Sequence, residues 1–222
     1  CVGNIYIGGT GKTPLAIKIS QLLNKNNFNS TVVKKFYKEQ KDEQLLISKK
    51  TNLISKKNRK ECIDNAINKG FKCAIFDDGL QDYSIRYDLK ICCFSSNNWI
   101  GNGLVIPAGP LRERLNSIKN YDVVLINGDL NKETKNFINK VKMINPNIKI
   151  FTGKYVPKNP SKFKKKKFII FSGIGNPHTF SDTLKSLKIK FYGYEKFPDH
   201  YDYKEVDLQR LKSLAKLKNC EL

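Results

Sequence analysis

Apolar residues along the 222-residue chain fall into short runs separated by longer amphipathic stretches. Residues 2–7 form a β-rich run that passes into Gly8-Gly9-Thr10-Gly11-Lys12-Thr13-Pro14. Beyond it Leu15, Ile17, Ile19, Leu22 and Leu23 follow a helix-compatible spacing, so the pattern predicts strand, glycine loop and helix in succession. Thr31-Val32-Val33 predicts a second strand, and residues 72–76 a third that ends at Asp77 and Asp78. Residues 89–94, 122–127 and 148–151 are further short apolar runs, with helical patterns at 58–69 and 132–143 between some of them. Strands that alternate with helices predict an α/β fold, with a mostly parallel sheet flanked by helices on both faces.

A composition shift at residues 157–167, densest in charge at 164–167, marks a joint between lobes. A strand restarts at 168–171, a turn follows at 172–177, and residues 179–187 read as a helix, as in a second, smaller α/β unit. The expected organisation is a main domain over 1–155 and a smaller C-terminal lobe over 156–222, which the chain length accommodates with a core in each.

The six cysteines form no C-x-x-C pair and no metal-ligand spacing with the two histidines, His178 and His200. They read as reduced, mostly buried thiols of a cytoplasmic protein. The formal charge of +21 has two readings. Clustered Lys and Arg attract nucleic acid or an anionic lipid surface, whereas heavy use of Lys, Asn and Ile throughout the chain would give the same charge as a compositional bias. No apolar run approaches the ~20 residues of a spanning helix, and no signal peptide is visible. Because residue 1 is Cys and the first motif begins at once, a preceding segment is expected to be missing, and the C-terminal end also reads as cut.

A glycine-rich turn between strand and helix lets backbone N–H groups surround phosphate oxygens, with the helix N-terminus adding partial positive charge. Gly8, Gly9, Thr10, Gly11, Lys12 and Thr13 have this form: Lys12 would reach the β- and γ-phosphates and the Thr13 hydroxyl would coordinate Mg2+. The strict pattern places glycine where this chain has Tyr6, so the loop is a variant. Asp77 and Asp78 stand where α/β folds put groups that act on a ligand, although such a pair can equally begin a loop or cap a helix. Residues 101–113 are dense in Gly and Pro and end in Arg112 and Glu113. That run is either a rigid surface loop or a device that delivers a guanidinium to a transferring phosphoryl group. Asp42-Glu43 and Asp199-His200, taken alone, read as solvated surface pairs.

Together these stretches resemble the tetraacyldisaccharide 4'-kinase family of lipid A synthesis. The resemblance rests on VGNIYIGGTGKTP at 2–14, DDGLQ at 77–81, GNGLVIPAGPLRE at 101–113, GIGNP at 173–177 with the following Phe180, Thr183 and Leu184, and FPDHYDY at 197–203, all in the family's order. It implies a P-loop superfamily fold with two α/β lobes joined by a hinge. It also implies ATP- and Mg2+-dependent phosphorylation of the 4'-hydroxyl of the tetraacyldisaccharide 1-phosphate lipid A precursor, giving lipid IVA. The implied setting is the cytoplasmic face of a Gram-negative inner membrane, reached through an N-terminal anchor, with no nucleic acid and no obligate protein partner. Carried over by motif, Lys12 and Arg112 are catalytic, Thr13, Glu43 and Asp77 are metal ligands, and Asp78, Gln81, Arg112 and Glu113 contact substrate. Asp42 resembles the family's base and His200 the histidine that serves it; an imidazole nearby can tune and orient a carboxylate that accepts a hydroxyl proton.

The chain departs from the family where Lys34-Lys35-Phe36-Tyr37-Lys38 replaces a Ser-Arg-Gly-Tyr-Gly stretch, where Lys41 replaces a glycine, and where Asp82 replaces a histidine. The link from Tyr37 to Asp42 is also short. Two other classes stay open at this point. A P-loop ATPase or phosphotransferase acting on another acceptor would share the loop, and a basic nucleic-acid module would explain the charge but not the glycine loop.

Overall fold

The computed structural model describes residues 1–156, 159–163, 165–175 and 177–222. It divides into two compact units, Cys1–Tyr155 and Val156–Leu222. Pro157, Lys158 and Lys164 of the expected joint, and Asn176 of the turn at 172–177, lie outside the described residues.

The first unit carries a seven-stranded sheet whose pairings are all parallel. Its strands are β1 (Val2–Gly3), β2 (Ser30–Lys35), β3 (Leu53–Lys56), β4 (Cys73–Asp77), β5 (Ile91–Ser95), β6 (Val123–Asn127) and β7 (Lys149–Gly153), in the spatial order β3-β2-β4-β1-β5-β6-β7. The helices are α1 (Lys12–Lys25), α2 (Lys41–Ser48), α3 (Arg59–Asn68) and α4 (Lys132–Ile144). After β1 the chain fills one side of the sheet and then, after β4, the other, so the strand order reverses around β1. In open α/β sheets such a reversal leaves a crevice at the carboxyl ends of the strands.

Period-two alternation sorts each strand between two faces. Val32, Ile75 and Cys93 point into one core with Ala16 and Ile17 of α1 and Ile47 of α2. Val33 and Phe76 point the other way, against Cys62 and Ala66 of α3. Cys92, Phe94, Val124 and Ile126 meet Phe137 and Val141 of α4. Asn58 and Asn131 accept backbone N–H bonds at the first turns of α3 and α4, as N-cap side chains do.

Residues 2–7 do not form one strand. Sheet pairing stops at Gly3, and the next residues turn their backbone to the 101–113 run: Arg112 N donates to Ile5 O at 2.7 Å, and Ile7 N donates to Pro110 O at 2.8 Å. The periodicity of apolar residues reports extended backbone but not which partner pairs with it. Burial of the thiols is also divided: Cys62, Cys92 and Cys93 are buried and Cys1, Cys73 and Cys220 partly exposed, all as free thiols.

The second unit pairs β8 (Lys167–Ser172) with β9 (Lys190–Lys196) in parallel and adds α5 (Pro177–Ser186) and α6 (Glu205–Leu217). Phe168, Ile170 and Ile189 form its core, with Phe180 and Leu184 packed against them.

Candidate active site

The glycine loop leaves β1 and enters α1 at Lys12. Gly8 and Gly11 hold φ of 106° and 92°, a left-handed region that side chains disfavour. Among the described residues a Cβ on Gly8 or Gly9 would meet nothing within 4 Å, so the turn is uncovered at these two exposed positions. A Cβ on Gly11 would instead come within 3.0 Å of Asn127 Nδ2 and Tyr155 Oη. Asn4, fully buried, braces the turn by donating from Nδ2 to Thr10 Oγ1 at 3.0 Å and to Gly8 O at 3.2 Å. Lys12 Nζ folds over the loop to Gly8 O at 3.5 Å and lies 4.0 Å from Asp78 Oδ1.

The carboxyl ends of β2 and β4 meet beside this loop. The register pairs Lys34 with Asp77. Both share the parity of Val32 and Ile75, and so face the side of the sheet covered by α1 and α2. Those helices supply Thr13 and Glu43. Thr13 Oγ1 donates to Asp77 Oδ2 at 2.8 Å, and the Lys34 ammonium lies 3.0 Å from the same oxygen and 2.5 Å from Glu43 Oε2. Burial would lower the Lys34 pKa, but Asp77 and then Glu43 outweigh it and hold the ammonium above its ordinary value. Burial pushes the Asp77 carboxyl up, against the pull of Lys34 and Thr13. With an ammonium and a hydroxyl both donating to Oδ2, the ionised pair is the state that the geometry supports.

Among the described residues Asp77 Oδ1 is buried with no hydrogen-bond partner. Together with the Thr13 hydroxyl and the Glu43 carboxylate it makes an all-oxygen donor set, which suits a hard cation such as Mg2+. Among the described residues no group of three or more His, Cys, Asp or Glu could hold a metal by itself.

The 101–113 run is an ordered loop, exposed at its tip and buried at Leu111. It folds back on itself through Leu111 N to Leu104 O and Asn102 Nδ2 to Ala108 O, packed so closely that a Cβ on Gly109 would lie 2.5 Å from Leu104 O. Its end runs beside Ile5 and Ile7, which carries Arg112 and Glu113 to the DDGLQ stretch. Arg112 Nη1 donates to Asp78 Oδ1 at 2.8 Å and to Gln81 Oε1 at 3.4 Å. Gln81 Nε2 donates to Glu113 Oε1 at 2.6 Å, and Tyr121 Oη donates to Glu113 Oε2 at 2.9 Å. Asp78 itself adopts φ of 59°. Its carbonyl accepts from Arg59 Nη2 at 2.6 Å, while Arg59 Nη1 pairs with Asp82 at 3.0 Å.

A cleft of about 490 Å³ opens onto these groups, lined by Lys34, Asp77, Asp78, Gln81, Arg112 and Arg59 among others. Two networks result, Thr13–Asp77–Lys34–Glu43 and Lys12–Asp78–Arg112–Gln81–Glu113, and they meet at the adjacent residues Asp77 and Asp78. Asp42 is exposed in the first turn of α2, one residue from Glu43. His200 belongs to the second unit, where φ is 57° and Nε2 lies 3.8 Å from Asp199 Oδ2. Within that unit the two motif stretches are neighbours: a Cβ on Gly175 would lie 2.8 Å from Asp199 Oδ2, and one on Gly173 would lie 3.0 Å from Tyr203 Oη.

Asn4, Lys34, Arg59 and Tyr121 escaped prediction. Asn4 lies inside a motif that reads as strand, Lys34 inside a run of lysines, and Arg59 and Tyr121 inside ordinary element boundaries. Only the GGTGKT context gave Asn4 a signal.

The model of the tetraacyldisaccharide-1-P 4'-kinase family matches residues 1–222. A tetraacyldisaccharide 4'-kinase of Pelagibacter ubique is 50% identical over 224 residues, covering 100% of this chain and 71% of the relative. One from Rickettsia felis is 34% identical over 240 residues, covering 100% of this chain and 72% of the relative. The solved hydrogenase maturation factor HypB of Archaeoglobus fulgidus aligns over 69% of this chain and 78% of its own, at 13% identity and a TM-score of 0.46. With the match running from the first residue to the last and half of the residues identical to the Pelagibacter ubique enzyme, this chain belongs to the tetraacyldisaccharide-1-P 4'-kinase family.

Proposed function

We propose that this chain transfers the γ-phosphoryl group of ATP to the 4'-hydroxyl of the tetraacyldisaccharide 1-phosphate lipid A precursor, giving lipid IVA. One observation carries the reading beyond family membership. The open glycine turn, the Thr13–Asp77 pair and the Asp78–Arg112 pair converge at the carboxyl edge of the sheet. Phosphoryl transfer asks little of a protein besides positioning and charge stabilisation, and this edge supplies both.

In this reading the N–H groups of residues 8–13 cradle the phosphates and Lys12 neutralises the β- and γ-oxygens. Thr13, Asp77 and Glu43 would hold Mg2+, which supplies charge neutralisation between the phosphates when bound. Arg112, oriented by Asp78, faces the transferring group, and Gln81 and Glu113 hold the acceptor side. Asp42 accepts the proton of the sugar hydroxyl as the new O–P bond forms, and the leaving ADP oxygen is stabilised by Lys12. Asp42 and His200 carry their roles on motif identity, as base and as the group that tunes it. The two compact units correspond in this proposal to the nucleotide domain and a smaller lobe joined by a hinge.

We place the reaction at the cytoplasmic face of a Gram-negative inner membrane, since the acceptor is a lipid and the chain carries a formal charge of +21. Among the described residues no helix is long and apolar enough to cross a membrane.

The test is incubation with labelled ATP and the tetraacylated disaccharide monophosphate, followed by separation of the lipids. Label in the lipid fraction is expected, and its dependence on acceptor separates a kinase from an ATPase whose hydrolysis ignores added lipid. Asp42→Ala should cut turnover by ~10²-fold or more, in the range of a lost general base, with ATP affinity little changed. An equal loss of both would remove Asp42 from the role of base.

A further inference from the structure

Lys34 holds a position that the proposed reaction does not use. Its ammonium lies between Glu43 and Asp77, at 2.5 Å and 3.0 Å, while its side chain is only 6% exposed and lines the cleft. The placement is imposed twice over. The register of β2 on β4 sets Lys34 opposite Asp77, and α2 carries Glu43 onto the same face. A flexible surface lysine would have neither constraint.

The two carboxylates are also the pair that would hold a divalent ion. Magnesium binds oxygen ligands at about 2.0–2.1 Å in near-octahedral geometry. Asp77 Oδ2 already accepts from both Thr13 and Lys34, and Glu43 Oε2 accepts from Lys34. An ion that reached both carboxylates with the ammonium in place would set two cations almost in contact at a buried point, where little water screens them. Asp77 Oδ1 remains unpartnered, so one carboxylate oxygen stays open to metal while Lys34 stays where it is.

We infer that Lys34 is a resident cation of this site, competing with the divalent ion for Asp77 and Glu43 and weakening metal binding in the absence of nucleotide. The inference rests on the proposed metal role of Thr13, Glu43 and Asp77. An ammonium carries three N–H donors, and the carboxylates take two. Once phosphates occupy the cleft, the third is available to a phosphate oxygen. The metal then arrives with the nucleotide, and Lys34 is a positioning residue that sets the order of binding.

The test uses Mn2+ alone, followed by electron paramagnetic resonance, on the purified protein and on Lys34→Ser, Lys34→Gln and Lys34→Arg. Two uncharged variants are made so that a folding defect in one, seen by circular dichroism, leaves the other to decide. The folded uncharged variant is expected to bind Mn2+ at least about tenfold more tightly than the unaltered chain, with Lys34→Arg close to the unaltered chain. Mn2+ affinity unchanged by loss of the charge overturns the inference. A separate titration with a non-hydrolysable ATP analogue and Mg2+ tests the phosphate-loop reading. Its failure would count against that reading alone, because the Mn2+ comparison involves no nucleotide.

Discussion

Arg112 Nη1 lies 2.8 Å from Asp78 Oδ1, joining two motifs separated by 34 residues in sequence. Neither side chain could hold this place unaided. Asp78 sits on a left-handed backbone just past β4, and Arg112 is delivered by a loop whose end runs along Ile5 and Ile7. The pair is partly exposed, 29% on each side chain, so its worth lies in aiming a guanidinium more than in stabilising the fold.

Arg112→Ala is therefore expected to lower turnover by ~10²-fold or more, the scale of a lost electrostatic donor at a transition state. Its effect on stability should stay within ~1 kcal/mol, as for other partly exposed ion pairs. Steady-state kinetics and a thermal melt on one preparation check both. A large drop in the melting midpoint would mean that Arg112 holds the fold instead.

Gly11→Ala combines a strained φ of 92° with a Cβ placed 3.0 Å from both Asn127 Nδ2 and Tyr155 Oη. Gly8→Ala has the strain, at φ of 106°, but no neighbour within 4 Å. Each should cost ~1–2 kcal/mol from the left-handed backbone, with Gly11→Ala the worse of the two. Chemical denaturation ranks them. Equal stabilities would show that Asn127 and Tyr155 move aside freely.

Tyr121→Phe deletes the donor to Glu113 Oε2, leaving Gln81 to orient the carboxylate alone. Burial holds the Tyr121 phenol well above its ordinary pKa, so it remains a donor across the working pH range. A loss of ~1 kcal/mol in stability follows from one hydrogen bond. A rise in KM for the lipid acceptor at constant ATP affinity is the functional signature. If KM for ATP rises instead, Glu113 belongs to the nucleotide side.

Alkaline stability should depend on Cys93, which is completely buried between the sheet and α1. Burial pushes its thiol from 9.0 up to about 12. The folded chain keeps this proton longer than the unfolded chain does. The stability linked to it is accordingly complete below pH 9.0 and is lost as pH rises toward about 12. The slope is up to ~1.4 kcal/mol per pH unit for each such thiol. Urea unfolding at pH 8, 9 and 10 should show a shallower decline for Cys93→Ala than for the unaltered chain, and parallel declines would remove this thiol from the account.

Local periodicity was enough for most of the sheet. The apolar runs at 31–33, 72–76 and 122–127 overlap β2, β4 and β6, and the polar segments between them are long enough for crossover helices. It failed at α2, whose stretch KDEQLLIS buries only Ile47, and at β3 and β9, which are short or carry a central glycine. In those elements burial depends on what packs above them, and no window of sequence contains that.

Chemistry divided in the same way. The chain by itself marked the glycine turn, because the glycines before Lys12 and Thr13 admit a left-handed backbone that other residues disfavour, and the strand-end aspartates, because an apolar run ends at them. Tertiary structure alone decided that Lys34, read as one more lysine in a basic stretch, is buried between Glu43 and Asp77, and that Arg112 reaches Asp78. A charge takes its meaning from its neighbours in space. Here those neighbours were chosen by strand register and by a returning loop, which are long-range properties that composition and spacing do not encode.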